Sequence, residues 1–180
     1  MPILPPAAAT ERWLERAVIG LNLCPFAKAV HAKRQIRYVV SAATTPGELR
    51  VDLRRELKFL AAADADTVDT TLLIHPETLA EFGAYNRFLG DADALVRHLG
   101  LEGVLQIASF HPDYEFADGL PGDIEHYSNR SPFPMLHLLR EASIDRAVAA
   151  YPDASAIYGK NIRTLRDLGH DGWRALWNDD

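Results

Sequence analysis

Two histidines share one local setting, each followed by proline at the end of an apolar, β-branched run. They are His75-Pro76 after Asp-Thr-Thr-Leu-Leu-Ile, and His111-Pro112 after the run that ends in Ala-Ser-Phe. Imidazole is the side chain suited to moving protons near neutral pH or to ligating a metal. His111 is therefore the candidate general acid or base, and His75 a candidate substrate-binding residue. The plainer alternative has each ring cap a helix start or pair with a loop carbonyl. Cys24 precedes Pro25 at an expected helix start, where the helix dipole lowers a thiol's pKa and makes it nucleophilic. Cysteine is also among the most often buried residues. Cys24 is thus the second catalytic candidate, as nucleophile or as pocket wall.

Asn129-Arg130-Ser131-Pro132 reads as a capped helix start carrying a guanidinium. Free N–H groups and the helix dipole favour an anion there, and arginine adds bidentate binding of carboxylate or phosphate. Asn129, Arg130 and Ser131 are accordingly expected to bind substrate; simple capping, with Arg130 paired to an acidic neighbour, is the competing account. His137 and Glu141, and Leu136 and Arg140, are four residues apart on the same expected helix. Arg140 and Glu141 are expected to reach the same cleft, or else to form a surface network. His111, Asp113 and Glu115 alternate, so a continuing strand would aim all three to one side, where they could hold a divalent metal. Pro112 bends the chain there, and neither His-Glu-x-x-His nor paired Cys-x-x-Cys occurs. No metal ligand is assigned, and the cofactor is left unknown.

These residues need a scaffold. Trp13, Leu14, Ala17, Val18 and Leu21 recur at helical spacing after Thr10, an expected cap, with 1–9 as a flexible Pro/Ala-rich tail and 10–180 as one globular domain. A short helix follows Pro25, and Ile36–Ser41 reads as a strand. Thr45-Pro46-Gly47-Glu48 is a capping box, with Leu49, Leu53, Leu57 and Leu60 on one face of its helix. Asp69–Ile74 is a second strand, and Pro76 opens a helical stretch broken near Gly90-Asp91. Leu101–Phe110 is the third strand. The alternation of strands and helices predicts an α/β fold with a small, mainly parallel sheet of about three strands. Both histidines would then lie at the carboxyl edge of the sheet, where open α/β folds place ligands. His111–Arg130 has no periodicity and reads as a long functional loop. Ser131 is expected to cap a long amphipathic helix, Asp153 to begin another that Gly169 closes, and Trp173 and Trp177 to dock a last turn.

Bulk properties narrow the function classes. The 180 residues are 48% hydrophobic and 24% charged, as in folded domains. A net charge of -6 argues against a general nucleic-acid binder. No apolar run is long enough for a membrane span. One cysteine allows no internal disulfide, which with the absence of a secretory leader points to the cytoplasm.

Three blocks add a resemblance. Gly20-Leu-Asn-Leu-Cys-Pro-Phe-Ala27, Gln106-Ile-Ala-Ser-Phe-His-Pro112 and Asn129-Arg-Ser-Pro-Phe-Pro134, the last with Leu136–Glu141, resemble the signature blocks of domain-of-unknown-function family 1415. The resemblance runs from about Glu11 to Gly169. It implies a chiefly bacterial distribution and brings no reaction with it.

Two functions follow from the residues themselves. The first is a hydrolase- or transferase-type enzyme for a small anionic molecule, bound by Arg130 and the Ser131 helix while His111 moves the proton. The second is a non-catalytic metabolite-binding or protein-interaction domain, with Trp173 and Trp177 as an exposed face for a partner or a second copy. A metal-dependent enzyme built on His111 and its neighbouring carboxylates is a third reading.

Overall fold

The computed structural model describes residues 4–151, 153 and 156–178. Helix α1 spans Pro6–Trp13 and passes into a π-helical turn, Leu14–Ile19. It starts inside the stretch expected as a tail, of which residues 1–3 lie outside the described residues. Thr10 is not its cap: the side chain is buried and its hydroxyl donates to the Pro6 carbonyl at 2.8 Å. Helix α2 (Ala27–Ala32) begins two residues beyond Pro25. Strand β1 (Ile36–Val40) then leads to helix α3 (Pro46–Ala62). The capping box closes as its residue types require, the Thr45 side chain accepting from the Glu48 N–H and the Glu48 carboxylate from the Thr45 N–H. Leu49, Leu53, Leu57 and Leu60 are all fully buried.

Strand β2 (Thr70–Ile74) is buried along its whole length. Helix α4 (Phe82–His98) follows, and is capped by the Glu81 carboxylate, which accepts from the N–H groups of Gly83 and Ala84 at 2.7 Å. It starts six residues after Pro76 and runs unbroken through Gly90-Asp91. A lone glycine weakens a helix without ending it when no cap or proline supports the break.

The largest correction concerns Met135–Arg140. These residues form strand β4, not the helix expected after Ser131. The sheet has four strands in the order β1-β2-β4-β3, with β3 at Leu105–Phe110. It is mixed: β1 and β2 pair in parallel, while β4 is antiparallel to both β2 and β3. Met-Leu-His-Leu-Leu-Arg misleads because a strand covered on both faces is apolar at successive positions, which short-range periodicity cannot separate from a buried helix. Helix α5 (Glu141–Ala149) starts only after the strand. Helix α6 (Ile157–Ala175) is broken at Gly169, whose φ of 63° leaves the helical region as its glycine signals.

Helices cover both faces of this single α/β domain. Leu73, Leu136 and Leu138 meet α3 and α4 on one side; Leu72, Ile74 and Met135 meet Trp13, Ala17, Leu165 and Trp173 on the other. No helix among the described residues is long and apolar enough to cross a membrane.

Candidate functional site

Insertion of β4 leaves β1, β2 and β3 running the same way, so His75 and His111 do share the carboxyl edge. Ile74 and Phe110 pack on the α1/α6 side, so strand alternation turns the next residues, His75 and His111, toward α4. Both rings are fully buried, and Tyr85 of α4 stands between them, 5.9 Å from His75 and 5.0 Å from His111 by ring centroids. The Tyr85 hydroxyl donates to the Met135 carbonyl at 2.8 Å and accepts the Phe110 N–H at 3.0 Å, tying α4 to the ends of β3 and β4.

The hydrogen bonds fix what each ring can do. His111 Nδ1 accepts the Asp113 N–H at 3.0 Å, so Nε2 carries the proton and donates to the Leu79 carbonyl at 3.1 Å. Both nitrogens are committed, and burial lowers the ring's pKa. His75 donates from Nδ1 to the Thr78 carbonyl at 3.0 Å, leaving Nε2 as a buried acceptor with no partner among the described residues. Burial, and then the nearby His111, lower its pKa to about 4. Asp113 lies in a turn rather than in a continuing strand, and Glu115 reaches toward Arg130 at 3.9 Å, so His111, Asp113 and Glu115 do not gather.

Cys24 packs on the α1/α6 side, across the sheet from both imidazoles. Burial raises its pKa despite the Phe26 and Ala27 N–H groups, the opposite of the lowering that a helix start predicts. Arg140 and Glu141 lie at the other edge, because β4 runs backward. Arg140 pairs with Leu105 at the start of β3 and donates to the carbonyls of Ala63 and Val68. A six-residue strand puts them about 17 Å from the histidine edge. His137, central in β4, has Nε2 2.7 Å from the Thr70 hydroxyl. That hydroxyl donates to the Leu138 carbonyl at 2.6 Å, so His137 is the donor to it. Burial lowers its pKa to about 4.

Asn129, Arg130 and Ser131 stay beside His111. The His111 N–H donates to the Asn129 carbonyl at 3.2 Å, and the Ser131 N–H to the His111 carbonyl at 3.4 Å. Their setting is an irregular segment that follows a short 3₁₀ turn and leads into β4, so the helix dipole invoked for Ser131 is absent. Asn129 Nδ2 holds the Ser109 carbonyl, and the Ser131 hydroxyl donates to the Phe133 carbonyl at 2.7 Å. Arg130 lies over the Tyr127 ring at 4.5 Å and donates from Nε to the Tyr114 carbonyl at 3.1 Å. Its Nη groups make no hydrogen bond among the described residues. Arg130 and Ser131 line a cleft of about 280 Å³ whose other walls include Arg12, Trp13, Trp173 and Trp177.

Sequence reasoning placed Trp13 on the apolar face of the first helix, and Trp173 and Trp177 as docking residues or as a face for a partner. Trp173 is buried and Trp177 partly so, with their rings edge-to-face at 5.7 Å. Their exposed-face role therefore does not hold for Trp173. Three tryptophans in one chain, two of them four residues apart, were the available signal; their meeting with Arg130 was not. The loop from His111 to Arg130 also has an organiser that periodicity missed. His126, inside a 3₁₀ turn at Ile124–Ser128, is buried, accepts the Phe116 N–H at Nδ1 and donates from Nε2 to the Leu120 carbonyl.

A larger hollow of about 540 Å³ opens at the amino edge, among Lys33, Asp64, Asp66, Asp69, Ser143 and Arg146. Several of its polar groups satisfy one another: Ser143 donates to Asp69, and Arg146 to Ser143. Lined mostly by charged and polar side chains, with Val30, Ala65 and Ala147 as its apolar part and no aromatic ring, it is the weaker ligand site.

Fold and cleft together define a single-domain α/β protein with a mixed four-stranded sheet and a polar-aromatic cleft beside the carboxyl edge. The chain belongs to the family described as protein of unknown function (DUF1415), whose family model matches residues 6–175. No curated protein and no solved structure matches the chain.

Proposed function

We propose that this protein binds a small anionic molecule with a flat, apolar body in the cleft of Arg130, Ser131, Trp13, Trp173 and Trp177. The observation carrying this reading is the meeting of indole walls with a guanidinium whose Nη groups hold no hydrogen bond among the described residues, only a 3.9 Å ion pair with the exposed Glu115. Indoles stack on planar groups, and the guanidinium favours carboxylate or phosphate. A hydrolase or transferase would need a nucleophile or proton carrier in this cleft. Among the described residues its walls supply neither thiol, imidazole nor carboxylate, and the Ser131 hydroxyl is engaged with Phe133. Binding without chemistry is therefore the better-supported reading of the two.

The test is titration with 8-anilinonaphthalene-1-sulfonate, phenyl phosphate and inorganic phosphate, followed by tryptophan and probe fluorescence. Saturable binding of the two aromatic anions is expected, with Arg130→Gln weakening it roughly 10- to 100-fold, the range for a lost charge-assisted hydrogen bond. Aromatic anions that fail to saturate, or that bind Arg130→Gln and Trp177→Ala as well as the natural chain, would refute it.

A further inference from the structure

On the α1 side of the sheet, away from the cleft's Arg130, three donors converge from two helices. Glu11 in α1 and Glu15 in the π-helical turn are four residues apart, and His31 comes from the last turn of α2. One ligand atom from each lies within 4.8 Å of the other two. His31 Nε2 and Glu15 Oε1 are already 3.2 Å apart. In a tetrahedral zinc site with bonds of about 2.05 Å, neighbouring donors sit roughly 3.3 Å apart, so this edge has the required length. With all three ligand atoms within 4.8 Å of one another, Glu11 needs to close by at most about 1.5 Å, a movement that an exposed glutamate rotamer allows.

A second observation comes from beneath the trio. Tyr38 of β1 has its hydroxyl oxygen fully buried with no hydrogen-bond partner among the described residues. A buried hydroxyl without a partner is rare and calls for an explanation such as an ordered ion or water. Its ring lies under α1, and its pKa is raised first by burial and then by Glu11 and Glu15. Tyr38 packs against the cluster of Trp13, Leu14 and Ala17 on the α1 side of the sheet, and the two carboxylates oppose its ionisation. A cation between the carboxylates would offset their field, and water on it would reach the hydroxyl.

We propose that Glu11, Glu15 and His31 form a divalent transition-metal site for zinc or a similar borderline ion, completed by water above the buried Tyr38 hydroxyl. One imidazole nitrogen and two carboxylates suit Zn²⁺, Co²⁺ or Mn²⁺ better than Ca²⁺, which takes only oxygen ligands in larger number. With three protein ligands, one coordination position remains open to solvent or to a partner's side chain. This site was not among those expected from the sequence, which looked for a metal at His111.

The purified full-length chain, stripped with chelator, is titrated with Co²⁺ by visible absorption and with Zn²⁺ by calorimetry. One ion per chain is expected, with a Co²⁺ band that Zn²⁺ displaces. His31→Ala and Glu15→Gln should each weaken Zn²⁺ at least about tenfold, because each removes one ligand of three. All three side chains are at least partly exposed, so the variants should keep the natural far-ultraviolet circular dichroism, which checks folding. Failure to saturate with Zn²⁺ below about 1 mM, or undiminished uptake by both folded variants, overturns the proposal.

Discussion

Replacing His75 by asparagine removes a group that stays neutral in the fold well below the pH at which it protonates in the unfolded chain. Asparagine keeps an N–H donor near the position of Nδ1, and so can still meet the Thr78 carbonyl. In the folded protein the imidazole protonates only near pH 4, against an ordinary value of 6.5. Between these values the unfolded chain binds a proton that the folded one does not, so stability falls as the pH falls. The contribution is intact above 6.5 and fully lost below about 4. At about 1.36 kcal/mol per pH unit, the full loss is roughly 3.4 kcal/mol, and about 2 kcal/mol of it is spent between pH ~8 and pH ~5. Urea unfolding followed by tryptophan fluorescence across this range measures it. His75→Asn begins from lower stability, because its ring no longer fills the space beside Tyr85, but its curve should be flatter than that of the natural chain by about 2 kcal/mol at pH ~5. His137 contributes in the same direction and remains in both proteins. Parallel curves would refute the buried neutral imidazole, and would return His75 to the set of groups that titrate within reach of solvent.

Two glycines offer further checks. Gly90 lies inside α4 with nothing within 4 Å of an added Cβ, so Gly90→Ala should stabilise the protein by about 0.5–1 kcal/mol in urea unfolding. A loss of stability there would mean that the helix is interrupted after all. Gly119 is different: an added Cβ would overlap His126 Cε1, and that ring is buried and held at both nitrogens. Gly119→Ala should cost about 1–3 kcal/mol and speed amide exchange in 112–130 more than in the sheet; unchanged exchange would show that His126 does not organise the loop.

Local chemistry made much of the scaffold legible. The Thr45–Glu48 box, the leucine stripe of α3 and the β-branched runs of β1 and β2 carry their own signals, because caps, helical periodicity and strand propensity act over a few residues. The shared edge of His75 and His111 was also legible, as both end strands that run the same way. The candidate site was less so. Arg130 and Ser131 could be singled out by type, but Trp13, Trp173 and Trp177 reach them from the two ends of the chain, and no local pattern encodes that meeting.

What the sequence determined alone was the helix and strand content of its first two-thirds and the residue types available for binding. Tertiary structure decided the rest. Met135–Arg140 became a strand because a gap between β2 and β3 could bury it on both faces, while its own pattern suited either conformation. That choice reversed the chain, carried Arg140 and Glu141 to the far edge and removed the helix expected at Ser131. The sheet then set Cys24 and the histidines on opposite faces. Such outcomes follow from long-range packing, where partners distant in sequence supply the free energy that local propensity leaves undecided.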